Sequence, residues 1–201
     1  MTNSRINIKN WYSLNDPRTY ISSPSTYKEK TVATNGHIVL FAPLSDYPKL
    51  PSDIENIIDS LMSYIEESGF MVLPELTFPE SHTCKICGGT GKSSKTNCQE
   101  CDGRGEIYFD NGYNFYELKC KSCEGDGLEY HDGGDEDCFK CLGKGICYKN
   151  DDYVWIDGKA FNPKYIKLIC DEPDVKYTNI IPSYLLFKTG EYSGAIKALN
   201  V

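Results

Sequence analysis

Eight of the ten cysteines fall into four copies of one pattern, Cys-x-x-Cys-x-Gly-x-Gly, in residues 84–91, 98–105, 120–127 and 138–145. The cysteines are Cys84 and Cys87, Cys98 and Cys101, Cys120 and Cys123, and Cys138 and Cys141. Two cysteines three apart on a tight knuckle aim both sulfurs at one ion. Two such knuckles complete a tetrahedron with Zn–S near ~2.3 Å. The glycines permit positive φ, so backbone amides can turn back towards the thiolates. Four thiolates leave no open position, which is the chemistry of a structural site rather than a catalytic one. One such pair is weak evidence, whereas four in register with paired glycines are specific. The expectation is two zinc ions per chain.

The competing uses of cysteine are a disulfide framework and a redox-active Cys-x-x-Cys. Residues 1–14 contain no uninterrupted apolar run of the kind a secretory leader needs, so a cytoplasmic, reducing location is expected, where disulfides do not persist. A zinc-dependent thiol–disulfide oxidoreductase remains an alternative, but metal-bound thiolates are occupied. Cys147 and Cys170 lie outside the repeats and read as small buried hydrophobes.

The partners of each knuckle follow from what lies between them. Residues 107–116 are two β-rich runs around Asn111-Gly112, a strong hairpin signal. That hairpin brings Cys98 and Cys101 beside Cys120 and Cys123. Cys84 and Cys87 are then left to pair with Cys138 and Cys141, and the two sites are nested. Residues 84–145 are poor in aliphatic side chains and carry 8 basic and 12 acidic groups. Such a segment cannot bury enough apolar surface to fold unaided, so metal must hold it.

On both sides the composition is that of an ordinary folded domain. Residues 31–41 read as two short strands around Asn35-Gly36. Ser52 is expected to cap a helix carrying Ile54, Ile57, Ile58, Leu61, Met62 and Ile65 on one stripe. Gly69 is expected to end it, before a strand over 70–73. Residues 16–17 and 22–25 read as turns. After the repeats, 153–156 read as a strand. Asn162 caps a helix that begins at Pro163 and runs through Cys170. Three strands then follow, over 175–181, 184–188 and 194–199. The predicted class is α+β: one β-rich domain formed by 1–83 and 146–201, interrupted by a two-zinc, β-hairpin-rich insert at 84–145.

The four repeats resemble the cysteine-rich domain of DnaJ-type chaperones, over about 62 of the 201 residues. The resemblance implies the same nested pairing and a role in binding polypeptides. No J domain accompanies it: His131-Asp132-Gly133 is not the His-Pro-Asp signature, and a Gly/Phe-rich linker is missing. The flanks are similar, over shorter stretches, to a domain of bacterial β sliding clamps. The residues that carry this are the run from Val32 to Ile38, Asn162-Pro163-Lys164-Tyr165, Ile181-Pro182 and Gly194-Ala195-Ile196. Asn35 stands where the clamp turn has Asp, and a basic inner helix face is lacking. That resemblance implies, as an alternative function, an accessory protein of replication or recombination with a zinc arm.

Charge narrows the partners. The formal net charge is −8, and eight thiolates holding two divalent ions bring it to about −12. Long-range repulsion from phosphate backbones disfavours direct nucleic-acid binding. The longest apolar run is far short of the ~20 residues that span a bilayer. Tyr108, Phe109, Tyr113, Phe115 and Tyr116 are candidate polypeptide-binding residues, about half of them expected to face hairpin neighbours. Residues 132–137 read as a solvated carboxylate loop rather than a calcium site. His82 reads as a surface or strand residue and His37 as structural packing in a turn. No nucleophile–base–acid constellation is visible, so the expected protein is a non-catalytic protein- or polypeptide-binding module of undetermined oligomeric state.

Overall fold

The computed structural model describes residues 6–14 and 16–201. The first five residues of the stretch read as lacking a leader therefore lie outside the described residues. The chain divides into two compact units, one formed by Met1–His82 and Cys147–Val201, the other by Thr83–Ile146. It is β-rich with few helices among the described residues. A 3-10 turn (Ile8–Trp11) and α1 (Thr19–Ser22) precede β1 (Ser25–Tyr27), β2 (Lys30–Thr34), β3 (Ile38–Pro43), α2 (Ser52–Glu67) and β4 (Met71–Val72). Seven short strands follow: β5 (His82–Thr83), β6 (Lys92–Asn97), β7 (Glu106–Asp110), β8 (Phe115–Lys119), β9 (Leu128–Asp132), β10 (Glu136–Asp137) and β11 (Ile146–Cys147). The chain closes with β12 (Val154–Ile156), β13 (Lys159–Phe161), α3 (Pro163–Cys170), β14 (Lys176–Thr178), β15 (Tyr184–Thr189) and β16 (Tyr192–Lys197).

The flanking unit is built on an antiparallel seven-stranded sheet, ordered β1-β2-β3-β16-β15-β14-β4. Its central strands are apolar on both faces, as strands covered on both sides must be. One face offers Val32, Phe41, Ala195 and Leu186 to Ile58, Leu61 and Ile65 of α2. Alternation sends Leu40, Leu185, Phe187 and Ile196 to the opposite face, where Trp11 packs on Phe187 with ring centroids 5.5 Å apart. The turn between β2 and β3 is held by Asn35, whose Oδ1 accepts from the amides of His37 (3.0 Å) and Ile38 (3.1 Å). No helix is long and apolar enough to cross a membrane among the described residues.

Several local expectations shift. Ser52 is the first helical residue, not the cap. Pro51 precedes it, and no side-chain cap bond forms, so the acidic Asp53 and Glu55 serve the helix N-terminus instead. Helix α2 ends at Glu67 with Ser68 as its C-cap, and Gly69 does not adopt a positive φ. Residues 22–25 are not one turn: Ser22 ends α1 and Ser25 starts β1, which is fastened by Leu50 N donating to Thr26 O at 3.0 Å. Asn162 does cap α3, accepting from Lys164 N at 3.0 Å, with Pro163 in the first turn.

The cysteine-rich unit contains the β7–β8 hairpin and a three-stranded sheet ordered β10-β6-β9. That sheet was not legible because β6 is Lys-Ser-Ser-Lys-Thr-Asn, which lacks an apolar face. The carboxylates expected in a loop instead lie partly in β10, where Asp137 accepts from Lys92 Nζ at 2.7 Å. β5 and β11 pair with each other.

Candidate metal centres

Each knuckle turns through left-handed backbone. In the second repeat Asp102, Gly103 and Gly105 have φ of +52°, +78° and +79°. Glu124 and Leu142 share the position of Asp102, with φ of +51°. This left-handed site directly after the second cysteine is a feature the spacing alone did not reveal, since only the first repeat places a glycine there (Gly88). The turn swings the Gly105, Gly127 and Gly145 amides onto the Sγ atoms of Cys101, Cys123 and Cys141, each at 3.2 Å. Thiolates held in this way are oriented by backbone before any ion arrives.

Knuckles then join reciprocally. Cys98 N donates to Gly127 O and Cys120 N to Gly105 O, both at 2.9 Å. Cys84 N donates to Gly145 O at 2.9 Å and Cys138 N to Gly91 O at 2.8 Å. The contact is close enough that a Cβ on Gly105 meets the carbonyl oxygen of Gly125. Glycine is required there twice over, by conformation and by space.

Two four-cysteine groups result: Cys84, Cys87, Cys138 and Cys141, and Cys98, Cys101, Cys120 and Cys123. Within each, the sulfurs all lie within 4.8 Å of one another. The pairs Cys84–Cys138, Cys87–Cys141, Cys98–Cys120 and Cys101–Cys123 stand 3.9, 3.8, 3.8 and 3.7 Å apart. A tetrahedron with metal–sulfur bonds of ~2.3 Å has edges of about 3.8 Å. A disulfide needs ~2.05 Å. The separations fit two tetrahedral zinc ions, and all ten cysteines are unbridged.

Electrostatics points the same way. Burial pushes the Cys98, Cys138 and Cys141 thiols up. Cys120 rises to about 12: the Cys123 amide favours its thiolate, but burial and the Cys123 sulfur outweigh it. Burial also opposes ionisation of Cys123, yet the Gly127 amide and the Cys120 sulfur bring it down to about 7. Four buried sulfurs cannot all ionise without a compensating cation. The two groups differ in their surroundings. The knuckles of the first carry Lys85, Lys140 and Lys144 and no acid. Those of the second carry Glu100, Asp102, Glu124 and Asp126 against Arg104 and Lys121, with Glu100 Oε2 3.5 Å from Cys120 Sγ.

The remaining candidates are placed as follows. In the hairpin, Ile107 pairs with Leu118 and Phe109 with Tyr116 on one face. Tyr108 and Phe115 lie on the other, with ring centroids 5.6 Å apart. Ile107 packs against the second cysteine group. Four of the five aromatics face a hairpin neighbour, Tyr108 on Phe115 and Phe109 against Tyr116 with centroids 6.1 Å apart, yet all five stay exposed, from 43% for Tyr108 to 94% for Tyr113. The hairpin is capped by four residues, with Asn111 N donating to Asn114 O at 3.2 Å, so Tyr113 sits in the loop itself. Cys147 and Cys170 are half-buried rather than buried. His82 is exposed in β5, and His37 stacks on Tyr165 with centroids 6.3 Å apart.

No protein-family model matches the chain. The cysteine-rich region is similar to "Chaperone protein DnaJ" of Francisella tularensis subsp. tularensis (strain WY96-3418). The two are 37% identical over 68 residues, 33% of this chain and 18% of that protein. The protein of the same name from Francisella philomiragia subsp. philomiragia is also 37% identical over 68 residues, 33% of this chain and 17% of its own length. The matched stretch therefore spans under a fifth of the length of these relatives. Among solved structures, "Caulobacter crescentus pol III beta" aligns with 95% of this chain and 61% of its own, at 14% identity and a TM-score of 0.34. The cysteine-rich region is thus a DnaJ-like module whose two four-cysteine groups fit two zinc ions.

Proposed function

We propose that the chain is a non-catalytic, zinc-stabilised polypeptide-binding protein of the cytoplasm. Cys84, Cys87, Cys138 and Cys141 hold one zinc ion, and Cys98, Cys101, Cys120 and Cys123 hold the other. The ions supply cohesion, not reactivity, because four thiolates leave no position for a substrate. The flanking unit is read as an α+β domain into which this module is inserted.

The observation that carries the binding role is the β7–β8 hairpin. Phe109, Tyr116 and Leu118 share one face and are 56%, 44% and 58% exposed, an apolar strip on a unit whose buried residues are cysteines, glycines and a serine. Ile107 anchors the root of that face on the second cysteine group, so metal binding sets the orientation of the strip. Aromatic side chains give large contact area at low entropic cost, which suits recognition of unfolded segments.

The test uses zinc-loaded full-length chain and a fluorescently labelled, carboxymethylated polypeptide that cannot fold. Saturable binding is expected, weakened at least about tenfold by the joint substitutions Phe109→Ser and Tyr116→Ser while zinc content stays at two per chain. Unchanged binding in that variant contradicts the role of the hairpin. A thiol titration of the metal-loaded protein separates this reading from a redox enzyme: labelling of Cys147 and Cys170 alone supports it, and labelling within the repeats contradicts it.

A further inference from the structure

A second recognition surface lies wholly within the flanking unit. In β12 the side chains alternate: Val154 and Ile156 are buried, and Trp155 between them is 59% exposed. A tryptophan left largely in water on a strand otherwise committed to the core is an anchor without an occupant. The chain from residue 74 to 79 runs along the same groove as an extended strap, bounded by Pro74 and Pro79. From Glu75 to Phe78 its backbone makes no hydrogen bond among the described residues. It continues from β4, the edge strand, whose pairing ends with Leu73 N donating to Val175 O at 3.0 Å. The groove between the strap and β12 has a volume of about 470 Å³, in the range of ligand sites.

Its chemistry selects the ligand. Aromatic surface comes from Trp155, Tyr153 and Phe78, and the charged groups that line it, Glu75 and Asp157, are both acidic. Phe78 is fixed by stacking on Tyr148 at 6.1 Å, and Lys167 Nζ already sits 5.2 Å from its ring centroid. Asp157 is fixed as well, its Oδ2 accepting from Tyr177 Oη at 3.0 Å and Asn179 Nδ2 at 3.1 Å. Aromatic faces beside carboxylates attract ammonium and guanidinium groups. Unpaired extended backbone offers amides and carbonyls to another extended chain.

We propose that this groove binds an extended polypeptide segment carrying lysine or arginine, its backbone against residues 75–78 and a cationic side chain between Trp155 and the Glu75 and Asp157 carboxylates. The site is independent of zinc and of the aromatic hairpin.

The probe is the peptide Ac-Val-Lys-Val-Arg-Val-NH2, titrated into metal-loaded full-length protein by calorimetry and by tryptophan fluorescence. Trp11 is buried, so Trp155 is the reporter. Saturable binding with a blue shift of the emission is expected, and the analogue with glutamate in place of lysine and arginine should bind at least about tenfold more weakly. Trp155→Ala and Glu75→Lys should each weaken binding at least about tenfold by calorimetry. Both positions are exposed, so circular dichroism should show an unchanged fold. The Phe109→Ser, Tyr116→Ser variant should bind this peptide as the parent does. Equal binding of the acidic analogue overturns the proposal, as does undiminished binding by Trp155→Ala. Loss of binding in the hairpin variant instead places the peptide on the metal-held unit and also overturns it, leaving the hairpin reading intact.

Discussion

The two units of this chain solve the same problem with different materials. In the flanking unit the interior is made of large apolar side chains, with Trp11, Phe41, Phe161, Phe187 and Leu186 all essentially sealed from water. In the unit at Thr83–Ile146 the buried residues are the eight repeat cysteines, the glycines that close the knuckles, and Ser93. Its aromatic side chains lie on the outside. One unit is held by a distributed core that tolerates local damage, the other by two point attachments. Removing a point attachment should therefore be far more costly than trimming any one side chain.

The largest effect expected is that of metal removal. A structural zinc site contributes about 10 kcal/mol or more of apparent folding free energy. A strong chelator should thus unfold the cysteine-rich unit while leaving the flanking unit folded. Backbone hydrogen exchange should show protection lost in residues 83–146 and kept in β2, β3, β15 and β16. The converse damage is Leu186→Ala. Leu186 lies in the middle of the sheet beneath α2, and its truncation should cost about 2–5 kcal/mol in denaturant unfolding of the flanking unit. Zinc content should stay at two.

Gly105→Ala sharpens the comparison within the metal-held unit. The added methyl meets the Gly125 carbonyl and sits on a φ of +79°. A cost of about 1–3 kcal/mol is expected, confined to the second cysteine group and read as weaker retention of one of two zinc ions. Loss of both ions at equal rates contradicts the independence of the sites. In the flanking unit, Asn162→Ala removes the cap of α3 and should cost about 1 kcal/mol.

The smallest effect is acid dependence of two half-buried carboxylates at the surface. Hydrogen bonds from the Arg18 guanidinium and amide hold Asp16 down at about 2, and Lys28 lowers Asp59 from its usual value. Both folded-state values lie below the unfolded one of 3.8. Their contributions are therefore complete above that pH and disappear as pH falls through the lowered values. Carboxyl chemical shifts should show Asp16 titrating near 2, and Asp16→Asn should flatten only the acid end of the stability profile.

The metal centres were almost wholly legible because four spacings and eight glycines fix which sulfurs can meet, and the Asn111-Gly112 hairpin decides which knuckles pair. Asn35-Gly36 and Asn162-Pro163 were legible for the same reason: local chemistry dictates local backbone. What escaped was structure imposed from outside the segment. The polar strand β6 forms because Cys98 N is tied to Gly127 O, which sets its register on β9. Ser52 was misread as a cap because Pro51 already supplies the extended backbone before the helix. β1 was hidden in a run of serine and proline, and its pairing depends on β2. The left-handed conformation of Asp102, Glu124 and Leu142 carries no residue signature at all.

The central claim, that metal replaces the apolar core in one unit and not in the other, is tested most directly by an amide correlation NMR spectrum of the full chain, with metal content determined, before and after chelation. The account predicts two zinc ions per chain and, on chelation, collapse to random-coil shifts of residues 83–146 alone. A spectrum that stays dispersed throughout after both ions are gone contradicts it, as does one in which the flanking sheet collapses with the cysteine-rich unit.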